Sequence, residues 1–496
     1  MRKTAATTVR RTRAEPASAA VVIEEAVTVK ALMVAYYFPP YSGSGAQRTL
    51  KFAKFLTGMG VDVTIVCATA EDYSCAGEPR DESLLAEVPA DVKIVRVPSH
   101  RPFGIEGLFK RLSLGKLWRA MVRPDVYAWW RKHAADAAVD LHGRQKFDVL
   151  YASGPPWTGM LAAADAARRT GLPLVLDFRD PWTQLEYTTW PTRLHFLLDR
   201  RQERYVLRTA RAVISNTNIW RQKLLTAHPF LDPARVTVLP NGFDEEEFGE
   251  LPPARPLAAK DTMKVSFIGS FWSMGRLDEL PAGSALRRLK RLVRRWNKRV
   301  WDALAYRPSG WVDVTTHSPY YLLKACREML DRCPDLAGRV SIHLTRTAGN
   351  AYAEQLVRTL RLEGVVQLLG NLSHRQCLEL MLSSQVLFLP LGDVRQPIPL
   401  GASSGKIFEY LASGVPILAV VPQGEAAELI RRLRAGVVVA GSDVAGLSGE
   451  LERLARQHLG GGIEHQPDWQ AIRTFGRKVL TRRLADLLNE AASGPR

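Results

Sequence analysis

Cysteine is scarce. The 496-residue chain has five, Cys67, Cys75, Cys326, Cys333 and Cys377, an odd number without a C-x-x-C spacing. That pattern excludes a disulfide framework and a structural zinc site and points to a reducing compartment. Long apolar runs are missing as well. No uncharged stretch reaches the roughly 18 residues a membrane-spanning helix needs. The apolar residues near the N-terminus are interrupted by Glu24 and Glu25, which breaks the run of a signal peptide. A cytoplasmic protein, or one peripheral on the inner face of the cell membrane, is the expectation. Acid is short relative to base: 68 Lys+Arg face 50 Asp+Glu, a formal net charge of +18. Such an excess asks for a partner carrying negative charge, whether nucleic acid, phosphorylated small molecule or anionic membrane.

The length is too great for one ordinary core and predicts two α/β domains. Residues 1–28 read as a disordered basic tail. Residues 29–250 then alternate apolar strands with helical patterns, as a parallel sheet covered on both faces requires. After the run Lys30 to Tyr37, Phe38-Pro39-Pro40 stops the strand, and a loop with Gly43 and Gly45 opens a helix over 46–56. Arg48 stands where a G-x-G-x-x-G fingerprint needs its third glycine, so a dinucleotide site is a poor reading. Further strand ends carry Ser153-Gly154-Pro155-Pro156, Asp177-Phe178-Arg179-Asp180-Pro181-Trp182 and Asn241-Gly242-Phe243-Asp244. Carboxyl ends of parallel strands gather at one edge, where open α/β sheets bind ligands. Ser153, Arg179, Asp180 and Asn241 are expected to share a cleft with Gly43 and Gly45. Arg179 suits a phosphate or sugar oxygen and Asp180 a hydroxyl proton; an Arg–Asp pair bracing the proline turn is the other reading.

A proline-rich linker over 251–262 leads to a second α/β series over 263–460, with Gly269 in the loop after its first strand. A last helical pattern, Trp469 to Ala491 within 461–496, suits packing back on the first domain. The informative stretch is Ser403-Ser404-Gly405-Lys406-Ile407-Phe408-Glu409-Tyr410-Leu411-Ala412-Ser413-Gly414-Val415-Pro416. It reads as a small-residue loop, a short helix and a stop before a buried strand. A helix start attracts anions, and Lys406 reinforces it. Glu409 lies one turn on along the same face, where a carboxylate accepts bonds from vicinal hydroxyls. The pair suits a nucleoside diphosphate with its ribose; an ordinary helix–strand unit with an exposed Lys and Glu is the alternative. An insertion over 275–318 contains a helix with apolar Trp296 and Trp301 on one side and Arg291 and Arg295 among eight cations on the other. Such a helix suits the surface of an anionic bilayer. The stretch Phe109 to His133 is a second aromatic and basic segment.

Taken together, Tyr36-Tyr37-Phe38-Pro39-Pro40 with Gly43 and Gly45, the 153–156, 177–182 and 241–244 loops, and Lys406 to Pro416 resemble the GT-B glycosyltransferases of family 4, in particular bacterial enzymes of cell-surface polysaccharide assembly. The resemblance implies two Rossmann-like domains facing across a cleft and retaining transfer of a hexosyl unit from a UDP- or GDP-sugar to a lipid-linked saccharide. It implies no cofactor and no tightly bound metal. The absence of any Asp-x-Asp in the chain agrees, since helix ends and cations then do the work of a divalent ion. By position, Glu409 would bind the donor ribose, and Lys406 with the amides of Ser403, Ser404 and Gly405 would stabilise the departing diphosphate. Gly43 and Gly45 would lie against the donor phosphates and acceptor, with Arg179 and Asp180 near the acceptor. One departure stands out. The family often has a second Glu eight residues before the first, and here that place is Gly401. A nucleotide-sugar epimerase or hydrolase on the same fold, and a nucleotide-sugar-binding protein of weak turnover, are the alternatives. Nucleic acid is not an expected partner, because the charge is concentrated in one amphipathic helix with no recognition motif beside it.

Overall fold

The computed structural model of the protein describes residues 29–112, 114–249, 261–271, 303–308, 312–394, 399–402 and 404–494. The expected basic tail, most of the linker, Ser403 and the amphipathic segment carrying Arg291, Arg295, Trp296 and Trp301 lie outside the described residues.

Two parallel sheets organise the chain. The first has seven strands in the spatial order Lys93–Arg96, Val61–Cys67, Val29–Val34, Val149–Gly154, Leu174–Phe178, Ala212–Ser215 and Val236–Val238. The second has six, in the order Val366–Leu368, Val340–Leu344, Met263–Phe267, Val386–Pro390, Ile417–Val420 and Gly436–Val439. In each half the first strand is central, and the order reverses beside it, next to Val149–Gly154 in one sheet and Val386–Pro390 in the other. Loops leaving such a switch point in opposite directions open a crevice at the strands' carboxyl ends. This is the GT-B arrangement.

Successive side chains on a strand point to opposite faces, so a sheet covered on both sides needs apolar residues throughout. In Val29–Val34, Ala31 and Met33 enter one cluster while Leu32 and Val34 enter the other. The Ala31–Met33 cluster is completed by Leu480, Leu484 and Leu488 of the last helix, Arg477–Ser493. The chain thus ends on the half where it began. The single helical pattern expected over 469–491 is two helices, Trp469–Arg473 and Arg477–Ser493. They part at Gly476, where a Cβ would fall 1.8 Å from Glu245 Oε1. In the aromatic and basic segment 109–133, Trp118 and Trp130 are core residues, with Trp130 Nε1 donating to Val97 O at 3.0 Å. Its exposed apolar groups are aliphatic instead.

Candidate functional site

The helix Gly405–Ser413 begins at the switch point of the second sheet. Ile407, Phe408, Tyr410, Leu411 and Ala412 pack inward. Tyr410 Oη accepts a hydrogen bond from Ile268 N at 3.1 Å, which fastens the helix to the end of the first strand of that sheet. Lys406 and Glu409, three residues apart, share another face. The Ser404 side chain caps nothing, so the first amides keep their donors for a ligand. Gly269 is required here by space and by backbone: its φ is +141°, and a Cβ would lie 2.1 Å from Lys406 Cε. The Lys406 ammonium therefore sits directly over the Gly269 backbone, 5.9 Å from the Phe267 ring centroid. Among the described residues it makes neither ion pair nor hydrogen bond, and the same holds for the half-buried Glu409 carboxylate. Burial lowers the Lys406 pKa and raises that of Glu409, the latter against the pull of His374, Lys406 and Arg477.

Two arginines that the sequence did not single out join this corner. Arg346, after the strand Val340–Leu344, has φ of 58° and donates from Nη1 to Ser270 Oγ at 3.1 Å. A left-handed non-glycine residue of this kind is tolerated where the surroundings hold it in place, often at a ligand site. Arg477, the first residue of the last helix, is 7% exposed, and its Nη1 is buried with no hydrogen-bond partner. Burial, with Arg48 nearby, pushes its pKa down to about 10 despite Glu409, Asp177 and Asp244. A positive φ and a sixty-residue sequence gap leave no local pattern by which either could have been found.

In the first half, ring packing demands the two loop glycines. A Cβ at Gly43 would fall 2.2 Å from Tyr41 Oη and one at Gly45 2.7 Å from Tyr37 Cδ2; the two tyrosines stack with centroids 4.0 Å apart. Arg48, in place of the third fingerprint glycine, is a buried keystone. It donates to both oxygens of Asp177 at 2.7 and 2.9 Å and to the carbonyls of Leu239 and Pro240 at 2.8 Å each. Asp177 also accepts from Tyr151 Oη at 2.6 Å and Ser153 Oγ at 3.2 Å, while Asn241 Oδ1 takes Arg48 Nη1 at 3.3 Å. Ser153 and Asn241, expected to share the cleft, hold this network through Ser153 Oγ and Asn241 Oδ1, because a buried ion pair must have its remaining hydrogen-bonding capacity filled. The Arg179–Asp180 pair is not made. Arg179 donates to the Pro155 carbonyl, and Asp180 accepts no hydrogen bond among the described residues. Burial raises the Asp180 pKa, and Arg179 opposes the shift.

Position 401 is occupied from across the cleft. Gly401 N donates to Glu186 Oε1 at 3.1 Å, its carbonyl accepts from Thr217 Oγ1 at 3.0 Å, and a Cβ would fall 2.1 Å from Trp220 Cδ1. Glu186 also accepts from Trp220 Nε1 and Lys223 Nζ. Behind the Gly405–Ser413 helix a second tie joins the halves. His374 Nε2 lies 3.1 Å from Glu247 Oε2, and Glu247 Oε1 lies 2.8 Å from Lys51 Nζ. Lys51 further holds Asp244 at 2.7 Å and Glu87 at 2.6 Å. Glu87, Asp244 and Glu247 have the spacing of a cation site, but the Lys51 ammonium fills its centre.

Residues 43–242 match the family model described as "Glycosyl transferase 4-like domain". No curated protein matches the chain. Among solved structures, HepE of Anabaena in complex with UDP and glucose is similar, with a TM-score of 0.53 and 16% identity over 93% of this chain and 100% of that one. Sucrose-phosphate synthase from Thermosynechococcus elongatus gives a TM-score of 0.56 at 12% identity, over 93% and 98% of the two chains. The lipopolysaccharide outer core galactosyltransferase WaaB, apo form, gives 0.51 at 12%, over 93% and 99%. At these identities the likeness is one of fold.

Proposed function

We propose that this chain, whose residues 43–242 match a glycosyl transferase 4-like domain and whose fold is GT-B, moves a hexosyl unit, with retention, from a nucleoside diphosphate sugar to a membrane-presented saccharide in surface polysaccharide assembly. The observation that carries this reading is the gathering of Lys406, Glu409 and Arg477, three charged groups without direct partners, around one helix start. Taking a charge out of water costs several kcal/mol unless an opposite charge joins it. Two unmatched cations beside a carboxylate are therefore completed by a ligand that is both anionic and rich in hydroxyls. A nucleoside diphosphate meets that description, with its diphosphate on Lys406 and the 404–405 amides and its ribose on Glu409. The UDP held by HepE favours uridine as the base.

In the transfer step the bond from the anomeric carbon to the diphosphate oxygen breaks while the acceptor oxygen forms its bond from the same face. The acceptor's hydroxyl proton passes to the departing diphosphate oxygen. Lys406, Arg346 and the helix amides stabilise the charge that grows there, and Asp180 orients the attacking hydroxyl. No covalent nucleophile is required.

A membrane-presented acceptor is supported by one exposed apolar face. Ile105, Leu108, Leu112, Leu117 and Met121 are exposed along residues 103–121, as are Leu194, Leu197 and Leu198 at the start of the helix Arg193–Thr209. His195 Nε2, 3.0 Å from Ala120 O, joins the two groups. Arg201, Arg204 and Arg208 continue along the latter helix. Aliphatic groups with adjoining cations suit an anionic bilayer, and the likeness to WaaB, a lipopolysaccharide enzyme by name, agrees. The test is incubation of radiolabelled UDP- and GDP-sugars with the protein and membranes. Label is expected in a solvent-extractable lipid. Label released only as free or epimerised sugar sinks the transferase in favour of a hydrolase or epimerase, and bound nucleotide without any turnover leaves a binding protein.

A further inference from the structure

Apart from the donor corner, a cavity of about 680 Å3 opens where the two halves meet. Trp157, Trp182, Trp190 and Asp180 line it from the first half, and Ala305 and Arg307 from the second. Trp157 is half-buried and lies parallel to Trp182, with ring centroids 5.0 Å apart and an interplanar angle of 4°. Ala305 and Arg307 belong to the insertion between the first two strands of the second sheet, yet they are fixed to the first half. Trp190 N donates to Tyr306 O at 3.0 Å and Tyr306 N to Trp190 O at 2.9 Å, an antiparallel bridge, and the Tyr306 ring packs 4.9 Å from that of Phe196. A half-buried carboxylate that accepts no hydrogen bond among the described residues, as at Asp180, leaves room for a donor from a ligand.

With the acceptor beside Asp180, as the transferase reading already has it, we propose that residues 305–307 are the outer wall of the cavity that receives its pyranose ring, so that this end of the insertion decides which acceptor the first half receives. The inference rests on the transferase reading above. Indole faces pack against the C–H faces of a sugar ring, and a carboxylate takes its hydroxyls; apolar walls with a few convergent polar groups are the usual form of a small-molecule site of this size. The cavity also reaches the surface at the right place. Arg119 and Val122 on its rim adjoin Leu117 and Met121, which are exposed, so a saccharide seated inside would carry its lipid end onto the apolar face.

Isothermal calorimetry with UDP and with a panel of p-nitrophenyl hexopyranosides tests the assignment. The protein is expected to bind at least one glycoside. Ala305→Trp, which fills the cavity, and Asp180→Asn, which replaces its free carboxylate, are each expected to weaken that binding by roughly tenfold, about 1.4 kcal/mol, with the Kd for UDP held within about twofold. Glycoside binding unchanged in Ala305→Trp overturns the wall. UDP binding with no affinity for any glycoside overturns the subsite. Failure to bind any nucleotide removes the donor reading instead, and the glycoside titrations still judge the cavity on their own.

Discussion

A guanidinium that is 7% exposed with no acceptor for its Nη1 is held against its own desolvation. Even a buried ion pair is commonly replaced by apolar side chains of similar volume at no cost or with a gain of about 1–4 kcal/mol, and an unpaired ion has less to lose. Arg477→Met is therefore expected to raise the melting temperature of the ligand-free protein and to weaken UDP binding, both read from thermal shift with and without nucleotide. A merely structural Arg477 would lower the melting temperature and spare the UDP response. At Gly269, alanine must adopt φ of +141° and displace Lys406. Gly269→Ala is expected to cost about 1–3 kcal/mol of stability from backbone strain and, if Lys406 acts on the leaving charge as proposed, to reduce kcat more than it raises the donor KM. Of this corner, Lys406 and Glu409 were legible, since an i, i+3 pair on one helix can be read locally. Arg346 and Arg477 were not, because only the sheet topology and the return of the last helix bring them there. Arg48 was read as an absent glycine, and nothing local marks it as the partner of Asp177, 129 positions away.

Elements were legible where burial imposes a period. The apolar run Lys30 to Tyr37, read as a strand that Phe38-Pro39-Pro40 stops, coincides with Val29–Val34 over most of its length, because a doubly covered strand must be apolar throughout. Continuous helical spacing hid the break at Gly476, since the cause is Glu245 from another element. In segment 109–133 the aromatic and basic content was legible, but not which groups are buried: Trp118 and Trp130 fill the core, and Leu112, Leu117 and Met121 face outward. The last helix is itself a test of how the halves are joined. Leu480, Leu484 and Leu488 are fully buried against the first sheet. Leu484→Ala leaves a cavity there and is expected to cost about 2–5 kcal/mol. Chemical denaturation followed by the fluorescence of Trp130 and Trp157, both in or against the first-half core, should report the loss. An unfolding midpoint unmoved at those tryptophans would mean that the helix is not integral to the first half.

Two of the ties between the halves centre on a carboxylate. In the first, Glu247 raises the pKa of His374 above its usual 6.5. Burial would raise Glu247, but the hydrogen bonds from His374 and Lys51 outweigh it and hold its pKa at about 2. A raised histidine contributes fully below its unfolded value and is lost as pH climbs through the folded one; a depressed carboxylate contributes above its unfolded value and is lost as pH falls through the folded one. The tie is therefore strongest between pH 4.5 and 6.5. The difference in melting temperature between the parent and His374→Gln should be largest in that window and shrink at higher pH. The effect should be small, because the His374 side chain is 51% exposed. The second tie is buried at Glu186, Trp220 and Gly401. Gly401 could be read from sequence only as a missing carboxylate, whereas a carboxylate is present there, delivered by Glu186 from the other half and saturated by Gly401 N, Trp220 Nε1 and Lys223 Nζ. Glu186→Ala strands two buried donors, Gly401 N and Trp220 Nε1, while the partly exposed Lys223 Nζ keeps Pro399 O at 3.1 Å, so the expected cost is about 1–3 kcal/mol for each stranded donor. Because residues 399–402 lead into the start of the Gly405–Ser413 helix, the expected outcome is a wider cleft, seen as a larger radius of gyration by small-angle scattering, with a raised donor KM. Gly401→Glu should share both effects, since its side chain must push Trp220 aside. An unchanged radius of gyration in Glu186→Ala would show that the remaining contacts, the His374 tie, the Trp190–Tyr306 bridge and the last helix among them, hold the halves without it, and the raised donor KM should then be absent too.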